Sequence, residues 1–371
     1  MPLAVEGGIN FLRFPGGDWG DDNDITHLQL DNFISLARQL GAEPSISVRL
    51  RGGTPEMAAD LVRYANVEKG YAVKYWSIGN EPALYGDYDT LRYNLEWRDM
   101  ALAMLAVDED ILLIGPEITQ YRGDPLLDPM DANGKLWMDE FLRANGDLVD
   151  VVSVHRYPFP ETMASGPASI DELRVNSAEW DVILPQLKSL ICAETGRSIP
   201  LAVTEFNSHW NAVTSGEATP DSHFNAIWLA DVLGRMIQHD VSIVNQFALQ
   251  SASDNGGWGL FSRVEPRPSY YVFLMYQHLG TELVSGNSGV ELVSVYPTLT
   301  RDGRLSILIV NLDSQEHEIP LIIEHAKAGE AQHWLFDESH QAESMGIVDI
   351  DSGGSFLAPP TSMSVLIFTG R

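Results

Sequence analysis

Up to about residue 280 the chain alternates between two patterns. Short apolar runs at 9–14, 43–48, 73–78, 111–114, 149–154, 201–204 and 241–247 read as buried strands. Between them, apolar positions recur at helical spacing. Ile227, Ala230, Val232, Leu233 and Ile237 form one such stripe within 223–239. Thr54-Pro55-Glu56 opens another helical segment with a capping residue followed by a proline. Strand–helix alternation of this kind predicts the α/β class with a parallel sheet. The predicted strands number seven, whereas a closed (β/α)8 TIM barrel needs eight. Too few residues precede residue 9 to make a further strand and helix, so the first barrel strand is missing from the pattern. Two outcomes are expected. Either another segment or a partner chain fills the gap, or an open seam between 9–14 and 241–247 leaves unpaired edges that favour self-association. A truncated start would explain the gap and would also have removed any signal peptide.

After about residue 284 the texture changes. The runs 290–299, 304–312, 317–324, 331–336 and 363–369 read as strands with turns between them, and Asp302-Gly303 is a hairpin signal. The expected division is a barrel over 1–284 and an all-β sandwich over 285–371. Leu305, Ile307 and Ile309 alternate along one strand and are expected to supply a packing face against the barrel.

Composition narrows the partners. With 23 basic and 52 acidic side chains the formal net charge is −29, a field that repels phosphate. Nucleic acid and anionic membrane are therefore excluded as partners; a neutral carbohydrate fits. Cys192 is the single cysteine, so no intrachain disulfide or cysteine-based zinc site is available. No apolar run reaches the roughly 18 residues of a membrane helix. The first residues lack the basic, apolar and small-residue order of a signal peptide, which leaves secreted and cytoplasmic locations both open.

The candidate chemistry sits at strand ends. Tyr75-Trp76-Ser77-Ile78-Gly79-Asn80-Glu81-Pro82 is an apolar strand ending in a glutamate, and Leu201-Ala202-Val203-Thr204-Glu205-Phe206-Asn207 is another. A carboxylate at the tip of a buried strand is costly unless paired or used. Roughly three strand–helix units separate the two, at about 30 residues each. Two glutamates at the C-terminal rim of one barrel are what a retaining glycoside hydrolase requires. Asn80-Glu81-Pro82 alone also reads as a helix-start turn; the preceding apolar strand favours function.

Trp-x-Ile-Gly-Asn-Glu-Pro resembles the acid/base strand of clan A glycoside hydrolases, with the arabinofuranosidase-like and xylosidase-like families nearest in pattern. Val203-Thr204-Glu205-Phe206-Asn207 resembles their nucleophile strand, and Leu12-Arg13-Phe14-Pro15-Gly16-Gly17 their second strand. The resemblance spans the whole chain, including the sandwich. It implies Glu81 as acid/base, Glu205 as nucleophile, Arg13 as the cation that holds Glu205, and plant or microbial polysaccharides as substrates. Asn80 is expected to bind the sugar hydroxyl beside the reacting carbon.

Other residues join the site by position. Alternation puts His155 and Tyr157 on one side of their strand, Tyr157 to donate to Glu205 and His155 to reach a sugar hydroxyl. Trp258, in Asp254-Asn255-Gly256-Gly257-Trp258-Gly259, offers a flat platform for a sugar face, and Trp19 is a further candidate. Gln246, Trp210 and His209 are weaker candidates for the same pocket, and Glu117 is a third carboxylate lining the cleft. Neither His-x-His nor His-Glu-x-x-His occurs, so no metal and no other cofactor is expected. The expected function is retaining O-glycoside hydrolysis of poly- or oligosaccharides by double displacement. The alternatives are a non-catalytic carbohydrate-binding protein on the same fold and an inactive truncated fragment.

Overall fold

The computed structural model describes residues 1–159, 166–252, 256–323, 329–350 and 354–369; Asp254, Asn255 and Glu324 lie outside them. Seven parallel strands form one sheet in chain order: β1 (Phe11–Phe14), β2 (Glu43–Val48), β3 (Tyr75–Ile78), β4 (Leu112–Thr119), β5 (Val151–Arg156), β6 (Leu201–Phe206) and β7 (Val241–Gln246). Helices connect them, and local chemistry sets where the helices begin. Thr26 and Gln29 form a capping box for His27–Leu40, Thr54 caps Pro55–Val62, and Ser222 caps His223–Gln238. Ile78, Leu113, Val152 and Val203 are almost wholly buried, as expected of strands covered on both faces.

The sheet curls into a nearly closed barrel. Cα atoms of β1 and β7 come within 8 Å of each other. Among the described residues, however, β1 pairs only with β2, and β7 only with β6. The seam therefore stays open as a gap in the ladder. A lid covers its flank: Ala4 of the helix Pro2–Glu6 and Ile9 pack with Leu40, Ala42, Leu260, Phe261 and Tyr270. Part of this lid is a small three-stranded sheet of β8 (Gln250–Ser251), β9 (Phe261–Ser262) and β10 (Glu265–Pro266).

The C-terminal part is antiparallel. A six-stranded sheet runs in the order β11 (Glu282–Leu283), β12 (Val293–Leu299), β13 (Leu305–Asn311), β18 (Ser362–Phe368), β15 (Glu330–Phe336) and β16 (Glu343–Asp349). It packs on a pair made of β14 (His317–Pro320) and β17 (Ser355–Ala358). Asp302-Gly303 makes the β12–β13 turn, with Gly303 at φ 80°. One expectation is corrected here. Ile307 and Ile309 face the interior of the sandwich with Ile319 and Phe356, whereas Leu308 and Val310 join the core shared with the barrel. β13 is buried on both faces, so its alternation alone could not say which face meets the barrel.

Candidate active site

Glu81 and Glu205 meet at the C-terminal rim of the barrel. Each offers an oxygen, and His155 a ring nitrogen, within 4.8 Å of the others. Backbone irregularities aim these groups. Glu81 follows β3 at φ 44°, and Glu117 on β4 sits at φ 55°, a left-handed conformation rare outside glycine. The β4–β5 register shifts between Pro116 and Ile118, and the β5–β6 register shifts at Val154/His155, where Thr204 is passed over. Such bulges turn side chains that regular alternation would send elsewhere.

Arg13 organises the floor. Its Nε and Nη2 donate to the two oxygens of Glu117 at 3.1 and 2.6 Å, Nη1 to Glu205 Oε2 at 3.0 Å, and Nη2 to Asn80 Oδ1 at 2.8 Å. Burial works against its charge, but Glu117 and Glu205 outweigh that and hold the guanidinium above its ordinary range. Glu205 accepts two further bonds, from the Tyr157 hydroxyl at 2.7 Å and from the Gly17 N–H at 3.2 Å. Burial, then the adjacent Glu205, keep Tyr157 neutral and donating. The glycine turn Pro15-Gly16-Gly17 brings a main-chain donor to a carboxylate, with Gly17 at φ 63°.

Glu81 is buried, and burial raises its pKa against the opposing pull of Thr119 and Arg13. His155 lies beside it, Nδ1 3.1 Å from Glu81 Oε1 and Nε2 3.1 Å from Thr204 Oγ1. Burial pushes this imidazole down to about 4, so it is neutral near pH 7. Both ring nitrogens are engaged by protein groups, so His155 faces Glu81 and Thr204 rather than an open cleft. Asn80 has its oxygen taken by Arg13, while its buried Nδ2 has no partner among the described residues. That leaves an N–H donor for a bound ligand.

Around this centre the other candidates divide. A cavity of about 380 Å³ lies along the seam, lined among others by Arg13, Glu205, Gln246 and Phe247. Gln246 Oε1 is buried there with no partner among the described residues. The Trp258 ring is edge-on to Phe247, and its Nε1 donates to the His209 carbonyl at 3.0 Å. Trp19 and Trp210 are exposed. His209 is held by the Ala168 N–H and by Ser208, inside the protein. Two groups close to the centre carried no signal in the sequence. These are Asp21 and Tyr85, joined by a hydrogen bond. Glu81, His155 and Glu205 have the donor types of a divalent-cation site. Of this set, Glu205 is already ion-paired with Arg13, whose Nη1 lies 3.0 Å from Oε2.

The fold has known counterparts. The chain superposes on the Thermotoga maritima α-L-arabinofuranosidase, solved in complex with arabinose, with TM-score 0.78 at 20% identity, over 99% of this chain and 89% of that one. A Paenibacillus polymyxa xyloglucanase of glycoside hydrolase family 44 matches with TM-score 0.75 at 16% identity, over 98% and 94%. A bifunctional glucanase-xylanase from a metagenome library matches with TM-score 0.76 at 15% identity, over 100% and 94%. These neighbours are clan A glycoside hydrolases, so the resemblance read from the sequence motifs extends to the fold of barrel and sandwich together. At such identities the likeness is one of fold. No protein-family model and no curated protein sequence matches the chain.

Proposed function

We propose that the protein is a retaining O-glycoside hydrolase acting on plant or microbial poly- or oligosaccharides. The observation that carries this reading is the pair Glu81 and Glu205, with oxygens within 4.8 Å and opposite surroundings. Retaining enzymes hold their carboxyl groups about 5–5.5 Å apart, while inverting ones leave 6.5–9.5 Å for a water. Glu81, whose hold on its proton is strengthened by burial, gives that proton to the leaving oxygen. Glu205 Oε1 or Oε2 attacks the anomeric carbon and forms a glycosyl ester, while Arg13, Tyr157 and Gly17 hold its carboxyl group in line. Water then enters, Glu81 takes its proton, and the ester bond to Glu205 breaks. The free N–H of Asn80 donates to the sugar hydroxyl beside the reacting carbon, a bond that strengthens in the transition state. Neutral His155 orients Glu81. Trp258 and Trp19 supply apolar faces to the sugar further out. The names of the structural neighbours point to arabinofuranosides, xylans, glucans and xyloglucan as first substrates to test.

The test is a screen of aryl glycosides and these polysaccharides, followed by two variants. Glu205→Ala should abolish turnover, and azide should restore part of it on an activated substrate, giving a glycosyl azide of inverted configuration. Glu81→Ala should lower turnover of poor leaving groups far more than of activated aryl groups, since only the former need the proton. Tight carbohydrate binding with no turnover on any substrate would replace this reading with a binding protein. Absence of azide rescue would remove Glu205 from the nucleophile's place.

A further inference from the structure

Asp21 is a buried carboxyl to which the double displacement assigns no task. It is 4% exposed and lies in the short helix Trp19–Asp22, just past the Pro15-Gly16-Gly17 turn. No cation pairs with it among the described residues. Its Oδ1 accepts a hydrogen bond from the Tyr85 hydroxyl. That hydroxyl in turn accepts from the Asn80 main-chain N–H at 3.4 Å. The Tyr85 ring is itself buried, edge-on to Tyr88 at 5.1 Å with the Arg51 guanidinium 5.7 Å from its centre.

Two features give this chain of contacts a purpose. Gly17, four residues before Asp21, donates its N–H to Glu205. Glu81, four residues before Tyr85, is held in a left-handed conformation that persists only where its surroundings enforce it. Moreover, a buried carboxyl with no ion-pair partner among the described residues costs stability, and the Arg49 guanidinium donates to the Asp21 main-chain carbonyl at 3.1 Å, not to the carboxyl. Burial pushes Asp21 up to about 7; the Tyr85 hydroxyl and Arg13 oppose this, while Asp18 and Glu117 add to it. A buried carboxyl perturbed in this way and tied to the turn carrying Glu81 fits a role in the site.

We propose that Asp21 is a positioning residue: acting through Tyr85, it fastens the turn carrying Asn80 and Glu81 to the turn carrying Gly17, and so sets where the acid stands relative to Glu205. The inference rests on the reading of Glu81 as acid/base and Glu205 as nucleophile.

The test compares Tyr85→Phe, Asp21→Ala and Asp21→Asn, by kinetics and by crystal structure. Tyr85→Phe and Asp21→Ala should lower kcat on glycosides with poor leaving groups by about tenfold or more, because small misplacements of a reacting group are expensive. KM and turnover of activated aryl glycosides should change little. Asp21→Asn keeps an oxygen for the Tyr85 hydroxyl and should keep most of the turnover. In the Tyr85→Phe crystal structure Glu81 should move away from Glu205. Equal losses on both substrate types, or kinetics unchanged while only Tm shifts, would overturn the proposal and leave a purely structural contact. If the wild-type protein turns over no glycoside, the glycosidase reading falls and the crystal structures decide on the tether. Glu81 displaced in Tyr85→Phe upholds the tether, and Glu81 unmoved refutes it.

Discussion

A general acid must bring its proton to the encounter, and a nucleophile must arrive without one. Here two glutamates within 4.8 Å are given different neighbours. Glu81 has burial and a neutral imidazole; Glu205 has a guanidinium, a phenol and a main-chain N–H, all donating to it. The consequence is a pH profile. Because burial raises Glu81, the form that can donate persists above the ordinary carboxyl range and is lost as pH rises through the raised value. The alkaline limb of kcat/KM should therefore belong to Glu81. It should vanish with Glu81→Gln on an activated aryl glycoside, where protonation of the leaving group is dispensable. An alkaline limb that stays in place in Glu81→Gln would assign it to another group. Burial pushes His155 down to about 4, so its imidazole is neutral near pH 7.

At the scale of elements, the molecule depends on how the sandwich docks on the barrel. The helix His223–Gln238 lies against β12, with Gly234 facing Tyr296. A Cβ built there would stand 2.3 Å from the Tyr296 ring. The Tyr296 hydroxyl donates to Asp231 Oδ1 at 2.5 Å, and Asp231 also accepts from Ser177 at 2.6 Å and from Arg235 at 2.9 Å. The ring is thus pinned at its far end and has little freedom to retreat. Gly234→Ala should destabilise the protein by about 1–3 kcal/mol through overpacking, read as a fall in Tm or in the denaturant midpoint. A variant as stable as the wild type would mean that the interface yields more readily than this geometry implies.

At the scale of the whole molecule, the open ladder between β1 and β7 is the unusual feature. Unpaired strand edges invite another chain. The lid of Pro2–Glu6, Ile9 and the residues around Tyr270 packs beside those edges. Ala4→Glu places a charge in that buried cluster and should loosen the lid. The expected outcome is concentration-dependent self-association in size-exclusion chromatography with light scattering, against a smaller tendency in the wild type. If the variant keeps the wild-type elution profile at every concentration, the lid is not what guards the seam.

Much of this was legible along the chain, for a physical reason. Burial on both faces demands continuous apolar runs, so the seven barrel strands and the gap where an eighth would stand could be read directly from the sequence. A carboxylate at the end of such a run is conspicuous because it is costly, which is why Glu81 and Glu205 stood out. Tertiary structure alone decided how those groups are held. Arg13 could be guessed as the partner of Glu205, but its two hydrogen bonds to Glu117 go with a bulge that no periodicity predicts. His155 on β5 meets Glu81, just past β3, because the curl of the barrel brings together the ends of strands that do not pair. Asp21 and Tyr85 left no mark in the sequence, since their contact joins two loops from different strands. Likewise β13, apolar on both faces, could not reveal which face meets the barrel. Local sequence sets which residues are buried and where strands end; only the closing of the chain sets which ends meet.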